Sequence, residues 1–175
     1  RWHCTRHDRA YTDAGEEAMS AYMTLLTPMT DQECLLAALS DLGFDASKVE
    51  VHESPVNLVG YAEDTRVQAA HIVIRRKHVG AASNDVGFLA SPTGYQAFVS
   101  GFDQYRYGAG WLAELNDGYR THWSVKQERL AAEQRLRLEE ERKRLVEAQR
   151  QAVHERAKAM GYRVQETRTG DAIRM

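Results

Sequence analysis

The sequence predicts an α+β fold: a twisted antiparallel sheet covered by two helices, with a long charged helical extension and a small C-terminal hairpin. Three observations support this prediction. Short apolar segments separated by polar turns fill residues 49–100, a pattern typical of an antiparallel meander. Segments with helical apolar spacing lie before and after that region. From Tyr119 to Met160 the chain contains neither glycine nor proline and is dense in charges of both signs.

The first elements are a short strand and an amphipathic helix. Residues 21–27 form the strand, which ends at Pro28 because proline cannot donate to the ladder. Thr30 and Glu33 match a capping box, in which each side chain bonds the other's backbone N–H. Leucines follow at helical spacing at positions 35, 36, 39 and 42. Gly43 is well placed to end this helix.

The meander begins with residues 49–55, a polar connection or an edge strand since Pro55 bars a central position. Residues 56–61 form the next short strand. The strongest strand covers residues 68–77, with Ala70, Ile72 and Ile74 on one face and Ala69, His71 and Val73 on the other. Turns at 83–85 and 91–94 separate two further strands, residues 86–90 and 95–100.

A long helix follows from Gly110. Its first three turns carry the apolar spacing that packs on a sheet, at Trp111, Leu112, Leu115, Tyr119, His122 and Trp123. After Lys126 the apolar face thins to Leu130, Leu138, Leu145, Val153 and Met160, which we identify as partner-binding residues. Glu139 precedes Lys143 by four residues, the favourable order for an ion pair on a helix. We call residues 124–160 the helical arm.

The C-terminal part poses a geometric question. Gly161 ends the helix, and residues 162–165 and 172–175 are expected to form a hairpin turned at 169–171. An unbroken helix from Leu115 to Met160 would be on the order of 70 Å long. Either the helix breaks into a helical hairpin, or its tip meets another subunit or partner. The predicted division is a tail or upstream-assigned start at 1–18, a core at 19–123, the arm at 124–160 and the hairpin at 161–175.

Composition limits the class of protein. The chain has 175 residues, 43% of them hydrophobic, and a net charge of −2, so no global attraction to nucleic acid or membrane is expected. Two cysteines form neither a disulfide framework nor a metal quartet. No apolar run is long enough to span a bilayer, and no signal peptide is visible. The sequence predicts a cytoplasmic protein without a cofactor or a metal.

Taken together, several motifs resemble the Ycf35 family, also called the domain of unknown function 1257. They are Met19-Ser20 with its strand, Asp41-Leu42-Gly43-Phe44, Gly60-Tyr61, Thr65-Arg66, Ala70-His71-Ile72-Val73-Ile74-Arg75-Arg76, Asp85-Val86-Gly87-Phe88, Leu115 through Tyr119 to His122, and Gly161-Tyr162-Arg163-Val164. The resemblance covers about residues 19–165. The order of the motifs is more specific than any one of them.

The resemblance implies an α+β fold and an accessory role, because some members of that family look associated with ATPases of the AAA+ type. It therefore implies an adaptor or regulatory subunit with a protein partner. Two departures stand out. His71 occupies a strand position where the family tends to carry Asp, and residues 130–151 look like an insertion in the family's last helix.

The residues leave three functional hypotheses open. The first is an adaptor that binds protein partners, or a second copy of itself, through the arm. The second is a nucleic-acid-binding accessory protein that uses a basic and aromatic sheet face. Its basic and aromatic members are Tyr61, Arg66, Arg75, Arg76, Lys77, Tyr105, Arg106 and Tyr107. His71, Asp85 and His122 are further candidates for a nucleic-acid or ligand face. The third is an enzyme, if Arg66, Asp85 and His122 converge on one sheet face.

Two further patterns are weaker. His3, Cys4 and His7 have ligand chemistry but match no zinc spacing and lack a fourth ligand. Gly-Ala-Gly at 108–110 lacks the Lys-Ser/Thr pair of a phosphate loop. Neither predicts a site.

Overall fold

The computed structural model describes residues 21–165, 167–169 and 172–174. The predicted tail, the Met19-Ser20 start, the His3, Cys4 and His7 group and turn residues 170–171 lie outside these ranges. The chain divides into two compact units, residues 1–124 and 125–175.

The first unit is built on a five-stranded antiparallel sheet, as predicted. Its strands are β1 (Tyr22–Leu26), β2 (Val49–Val59), β3 (Thr65–Ile74), β4 (Val86–Leu89) and β5 (Gln96–Ser100). Their order across the sheet is β1-β5-β4-β3-β2, so β2 to β5 form the predicted meander and β1 pairs with the last strand. The helices of this unit are α1 (Gln32–Asp41), α2 (Arg76–Val79), α3 (Gln104–Tyr107) and the first part of α4 (Ala109–Ala159).

Helix α1 starts differently from the prediction. The capping box of Thr30 and Glu33 is wrong: the N-cap is Asp31, whose carboxylate accepts a 2.9 Å hydrogen bond from the Cys34 N–H. The Thr30 N–H instead donates to the Tyr119 hydroxyl at 3.1 Å, a contact 89 residues away in sequence that no local pattern reveals. The helix ends at the predicted glycine, Gly43, whose φ of +88° is costly for other residues.

Strand β2 is one long strand at the edge of the sheet rather than a polar segment followed by a short strand. Its pairing with β3 is interrupted between Val51 and Val56, where four residues including Pro55 face a single residue of β3. Proline is accommodated there because an interrupted edge strand needs no N–H at that point.

Strand β3 runs from Thr65 to Ile74, so it begins and ends three residues before the predicted limits of 68–77. The basic exit is not strand. Arg75 has extended backbone angles and precedes the short helix α2, and Asp85 accepts the Arg76 N–H at 2.7 Å. The carboxylate thus ends the strand by taking a donor that the ladder would otherwise use.

The main core lies between one face of the sheet, helix α1 and the first turns of α4. Leu112, Leu115 and Tyr119 are buried there, as the apolar spacing predicts. Trp111 packs edge-on against Phe44, with ring centroids 6.1 Å apart. The predicted packing is therefore correct for Trp111, Leu112, Leu115 and Tyr119, and wrong for Trp123, which is 37% exposed.

The second face of the sheet carries a smaller apolar cluster. Leu58, Ala70, Val73 and Phe98 are buried in it. The prediction that Ala70 shares a face with Ile72 and Ile74 is wrong, since those two belong to the main core. Ala70 faces the second cluster at the point where the pairing of β2 with β3 is interrupted. Beyond that interruption the end of β2 approaches the start of β4, and the Asp85 N–H donates to the Val59 carbonyl at 3.0 Å.

The second unit contains the rest of α4, whose helical bounds are Ala109–Ala159. Gly161 follows it with φ of +82°. The hairpin pairs β6 (Thr167–Thr169) with β7 (Ala172–Arg174). Its first strand lies later than the predicted residues 162–165.

Gly87→Ala should lower the free energy of unfolding by about 1–3 kcal/mol, since the added carbon overpacks the second cluster. A Cβ at Gly87 would lie 2.7 Å from the Ala70 Cβ and 2.8 Å from a Leu58 methyl carbon. Urea unfolding measures the change. The control is Gly110→Ala, where a Cβ would meet nothing within 4 Å. Equal stability of the two variants would contradict the close approach of β2 to β4.

Candidate functional site

The helical arm is the first candidate site. None of its residues is buried within the described chain, although it carries many large apolar side chains. The five predicted partner-binding residues are all exposed: Leu130 44%, Leu138 59%, Leu145 59%, Val153 45% and Met160 60%. The structure also leaves Val125, Leu136 and Val146 exposed, which the single-column interpretation of the sequence omitted.

The five predicted residues form a slowly turning column. At about 100° per residue, Leu138 and Leu145 differ by only about 20° in direction. Leu130 and Val153 then lie about 70° to either side of the direction midway between those leucines. Leu136 points about 170° away from the same direction, on the opposite face. The column is thus centred on Leu138 and Leu145.

Charged groups surround this column. The Lys143 ammonium lies 2.8 Å from Glu139, the i,i+4 pair predicted from the sequence, and Arg150 lies 3.1 Å from Glu147. The hydrogen bond from Lys143 lowers the pKa of Glu139. Such exposed pairs stabilise a helix by only a few tenths of a kcal/mol each. They support the helix but bury no apolar surface.

Two of the sheet residues predicted to bind nucleic acid, Arg75 and Arg76, donate to a buried carboxylate instead. Asp85 is fully buried, and its side chain accepts hydrogen bonds from the Arg75 guanidinium at 2.9 Å and the Val59 N–H at 2.9 Å. Its backbone carbonyl accepts the Tyr22 hydroxyl at 2.8 Å. Burial raises the pKa of the Tyr22 hydroxyl, and the negative charge of Asp85 raises it further.

Arg75 is shared between two carboxylates. Its Nε and Nη2 lie 2.7 Å and 2.6 Å from the same oxygen of Glu50, while Nη1 reaches Asp85. Hydrogen bonding to Glu50 raises the pKa of Arg75, and the same contact lowers the pKa of the Glu50 carboxyl. Glu50 was missed from the sequence, since its partner is 25 residues away and only the β2–β3 register brings them together.

The neighbouring cations are also paired. Arg76 donates to the Tyr61 carbonyl and stacks over the Tyr61 ring, 5.7 Å from its centroid. Arg66 Nε lies 3.0 Å from an Asp64 oxygen. Lys77 is exposed on α2. Arg66 and Arg75 are therefore held in ion pairs and Arg76 by a carbonyl, whereas Lys77 stays exposed.

The two histidines lie in separate places. His71 accepts a 3.1 Å hydrogen bond at Nδ1 from the Ala90 N–H, which fixes its ring against β4. His122 lies 2.6 Å from Asp41 and joins α4 to the end of α1. Asp85 has neither histidine among its hydrogen-bond partners. The convergence of Arg66, Asp85 and His122 required by the enzyme hypothesis is not seen in these contacts.

Among the described residues no group of three or more His, Cys, Asp or Glu side chains is arranged to hold a metal. A groove of about 450 Å³ lies between the end of α1 and the start of β2. It is lined mainly by apolar side chains, including Leu36, Phe44, Val49 and Val51, and contains none of the predicted site residues. None of the helices in the described ranges combines the length and the apolar character of a membrane-spanning segment.

Fold and site together define an α+β domain with a closed polar centre and a charged helix that exposes its apolar residues. Comparison of the chain with family models, curated proteins and solved structures finds no match. The resemblance to the Ycf35 family therefore stays a prediction.

Asp85→Asn should lower the free energy of unfolding by about 2–4 kcal/mol, because the buried side of Arg75 loses its countercharge. The matched control is Glu50→Gln, which removes the other carboxylate of Arg75. Its side chain is 42% exposed, so the expected loss is below about 1 kcal/mol after solvent screening. Urea unfolding at neutral pH measures both. A loss from Glu50→Gln as large as that from Asp85→Asn would contradict the central role of Asp85.

Glu50 should also contribute to the pH dependence of stability. Its folded-state pKa is lowered from the ordinary 4.5, so its stabilisation is present above that value and is lost as pH falls through the folded pKa. Glu50→Gln should therefore flatten the fall in unfolding free energy below about pH 5. Unfolding curves across the acid range measure this, with Glu53→Gln on the same strand as the control. An unchanged slope in the Glu50 variant would contradict the Arg75 contact.

Proposed function

We propose that this protein is a non-enzymatic adaptor or accessory subunit of a larger assembly, acting in the cytoplasm and binding its partner through the helical arm. One observation carries the proposal. The arm holds a column of large apolar side chains, and none of them is buried within the described chain.

Exposed apolar side chains on a helix favour association. Burying a leucine or valine fully contributes about 1.5–3 kcal/mol, so a column of five supplies substantial binding energy to a matching surface. Helices in proteins gain most of their stability from packing of an apolar face rather than from intrinsic propensity. Within the described chain, residues 125–159 of α4 lack a buried face, and a partner would provide one.

The first partner class to test comes from the resemblance. Some members of the Ycf35 family look associated with AAA+ ATPases, and the resemblance implies such a partner for this chain. An ATPase of this type is therefore the leading candidate. Nucleic-acid binding by the sheet face is the alternative, and it has less support because Arg66, Arg75 and Arg76 are each paired with acidic or carbonyl groups.

Deleting residues 130–151 should abolish partner binding while the α+β core keeps its thermal transition. The deletion removes 22 residues, about six helical turns, so the flanking parts of the helix keep nearly the same phase. The measurement is a pull-down of the full chain and the variant from the source cells at moderate salt, with bound species identified by mass.

The control is Lys77→Ala, which removes an exposed sheet-side cation and should leave partner binding unchanged. Nuclease treatment separates the alternative. Recovery of nucleic acid alone, with a steep salt dependence whose slope Lys77→Ala lowers by about one, would replace the adaptor proposal.

A further inference from the structure

The five-stranded sheet has two edge strands, β1 and β2, which differ in how well their outer sides are protected. An edge strand presents unpaired N–H and C=O groups, and proteins shield these groups with charges, proline or interruptions of the strand. Strand β2 has all three. It carries Glu50, Glu53 and Pro55, and its pairing with β3 is interrupted between Val51 and Val56.

Strand β1 has none of these protective features. Residues 21–27 read Ala-Tyr-Met-Thr-Leu-Leu-Thr, without a charge, a proline or a glycine. All five residues of β1 pair in continuous register with β5. Among the described residues, no strand pairs with the outer side of β1. This edge of the sheet is therefore regular, uncharged and open to a further strand.

Two hydrogen bonds that flank β1 fix which of its backbone groups point outward. The Gly101 N–H donates to the Ala21 carbonyl at 2.8 Å. The Thr27 N–H donates to the Tyr95 carbonyl at 3.1 Å. Along an antiparallel strand, residues whose N–H and C=O face the partner alternate with residues whose groups face away. The odd-numbered positions therefore bond towards β5. The outward-pointing N–H and C=O groups are those of Tyr22, Thr24 and Leu26.

We infer that β1 pairs antiparallel with β1 of a second copy of this chain, about a two-fold axis at Thr24. This pairing joins the two five-stranded sheets into one. About the axis, Thr24 lies opposite Thr24 and Tyr22 lies opposite Leu26, so outward groups meet outward groups throughout. Each such pair of residues exchanges two hydrogen bonds. The inference concerns the first unit and goes beyond the proposed function, which rests on the arm.

The side chains of β1 also match in this register. Tyr22 packs on the second cluster, and its hydroxyl donates to the Asp85 carbonyl at 2.8 Å, which holds the ring in place. Leu26 lies on the same face by alternation and is 78% exposed. Residues that lie opposite each other in an antiparallel pair point to the same face. Each Leu26 therefore packs beside the Tyr22 ring of the other copy, and on the reverse face Met23 lies level with Leu25.

This match favours a second copy over a strand from a different protein. The backbone groups of an open edge specify a strand as the partner, because main-chain hydrogen bonds supply the affinity in strand addition. The side chains then select among strands. Apolar pairs and a Thr–Thr pair are favourable across strands, and like charges directly opposite are destabilising. The uncharged β1 meets its own copy with the first two and without the third.

The first test is the mass of the full chain in solution over a range of concentrations. The expected result is a reversible dimer of twice the 19.9 kDa chain mass. Thr24→Lys should raise the dissociation constant about tenfold, because it places two ammonium groups opposite each other at the axis. The matched control is Thr65→Lys, at an exposed threonine of β3, which should leave the constant unchanged.

A charge exchange tests the position of the axis. Thr24→Glu alone should weaken the dimer as Thr24→Lys does. An equimolar mixture of the two variants should form a mixed dimer at least as tight as that of the unchanged chain, because opposite charges then face each other. The mass after mixing measures this, with one variant carrying a tag. A mixture that associates no more tightly than either variant alone would overturn the pairing about Thr24.

Thr24→Pro tests the backbone contribution. Because the Thr24 N–H points away from β5, proline there removes no hydrogen bond between β1 and β5, and an edge strand accepts it. In the dimer it removes both N–H donors of the central pair, so the dissociation constant should rise at least about 100-fold. Thermal unfolding of the variant checks that the monomer folds. An unchanged dissociation constant in the folded variant would contradict edge pairing.

The outcomes separate this inference from the proposed function. A chain that stays monomeric at high concentration overturns the edge pairing, whether or not the arm binds a protein. Deleting residues 130–151 should leave the edge dimer intact while partner binding is lost. A dimer that is lost on this deletion and kept in Thr24→Lys would assign self-association to the arm and overturn the inference.

Discussion

The fold of the first unit depends on one buried carboxylate. Asp85 is inaccessible to solvent, and it receives donors from the end of β2 through Val59 and from the end of β3 through Arg75 and Arg76. A buried carboxylate is costly unless it is paired and fully hydrogen-bonded. The low-energy state therefore requires both strand ends to be in place at once, which makes the sheet cooperative around its centre.

This constraint also decides what the sheet can do. Because the end of β2 is held across β4, the second face of the sheet is covered by its own hairpin, and Gly87 is the residue that permits the close contact. At the exit of β3, Arg75 neutralises Asp85 and Glu50, and the Arg76 side chain donates to the Tyr61 carbonyl. The arginines that the sequence suggested for ligand binding on this face make contacts within the protein. The exposed apolar residues of the arm are therefore the better candidate for function.

The sequence predicted what local patterns control. Helix α1 with its glycine stop, the antiparallel meander and the long helix all follow from spacing within one segment, and the structure contains each of them. The errors arise where distant residues intervene. The Tyr119 hydroxyl accepts the Thr30 N–H, and the N-cap of α1 is Asp31. Asp85 accepts the Arg76 N–H, so β3 ends before its predicted limit. Neither Tyr119 nor Asp85 could be identified from the sequence of the segment whose end it alters.

The candidate sites divide in the same way. The arm residues could be found from the sequence because a solvent-facing helix keeps its helical period, so spacing alone places Leu138 and Leu145 together. The roles of Arg75, Glu50 and Asp85 could not, since these residues meet only through strand register and a bend in β2. Charge type suggested a binding surface there, but whether a cation binds a ligand or a neighbouring carboxylate depends on contacts that lie far apart in sequence.

The arm's thin column is consistent with both an adaptor and self-pairing. One apolar residue per seven buries less surface than the paired positions of a full coiled coil, so a dimer formed through it would be reversible and concentration-dependent. On the opposite face, Val125 and Leu136 are 60% and 62% exposed and lie within about 20° of one another. The arm therefore offers apolar side chains on two faces, and a protein partner that covers both would bury more surface than one that covers the Leu138–Leu145 face alone.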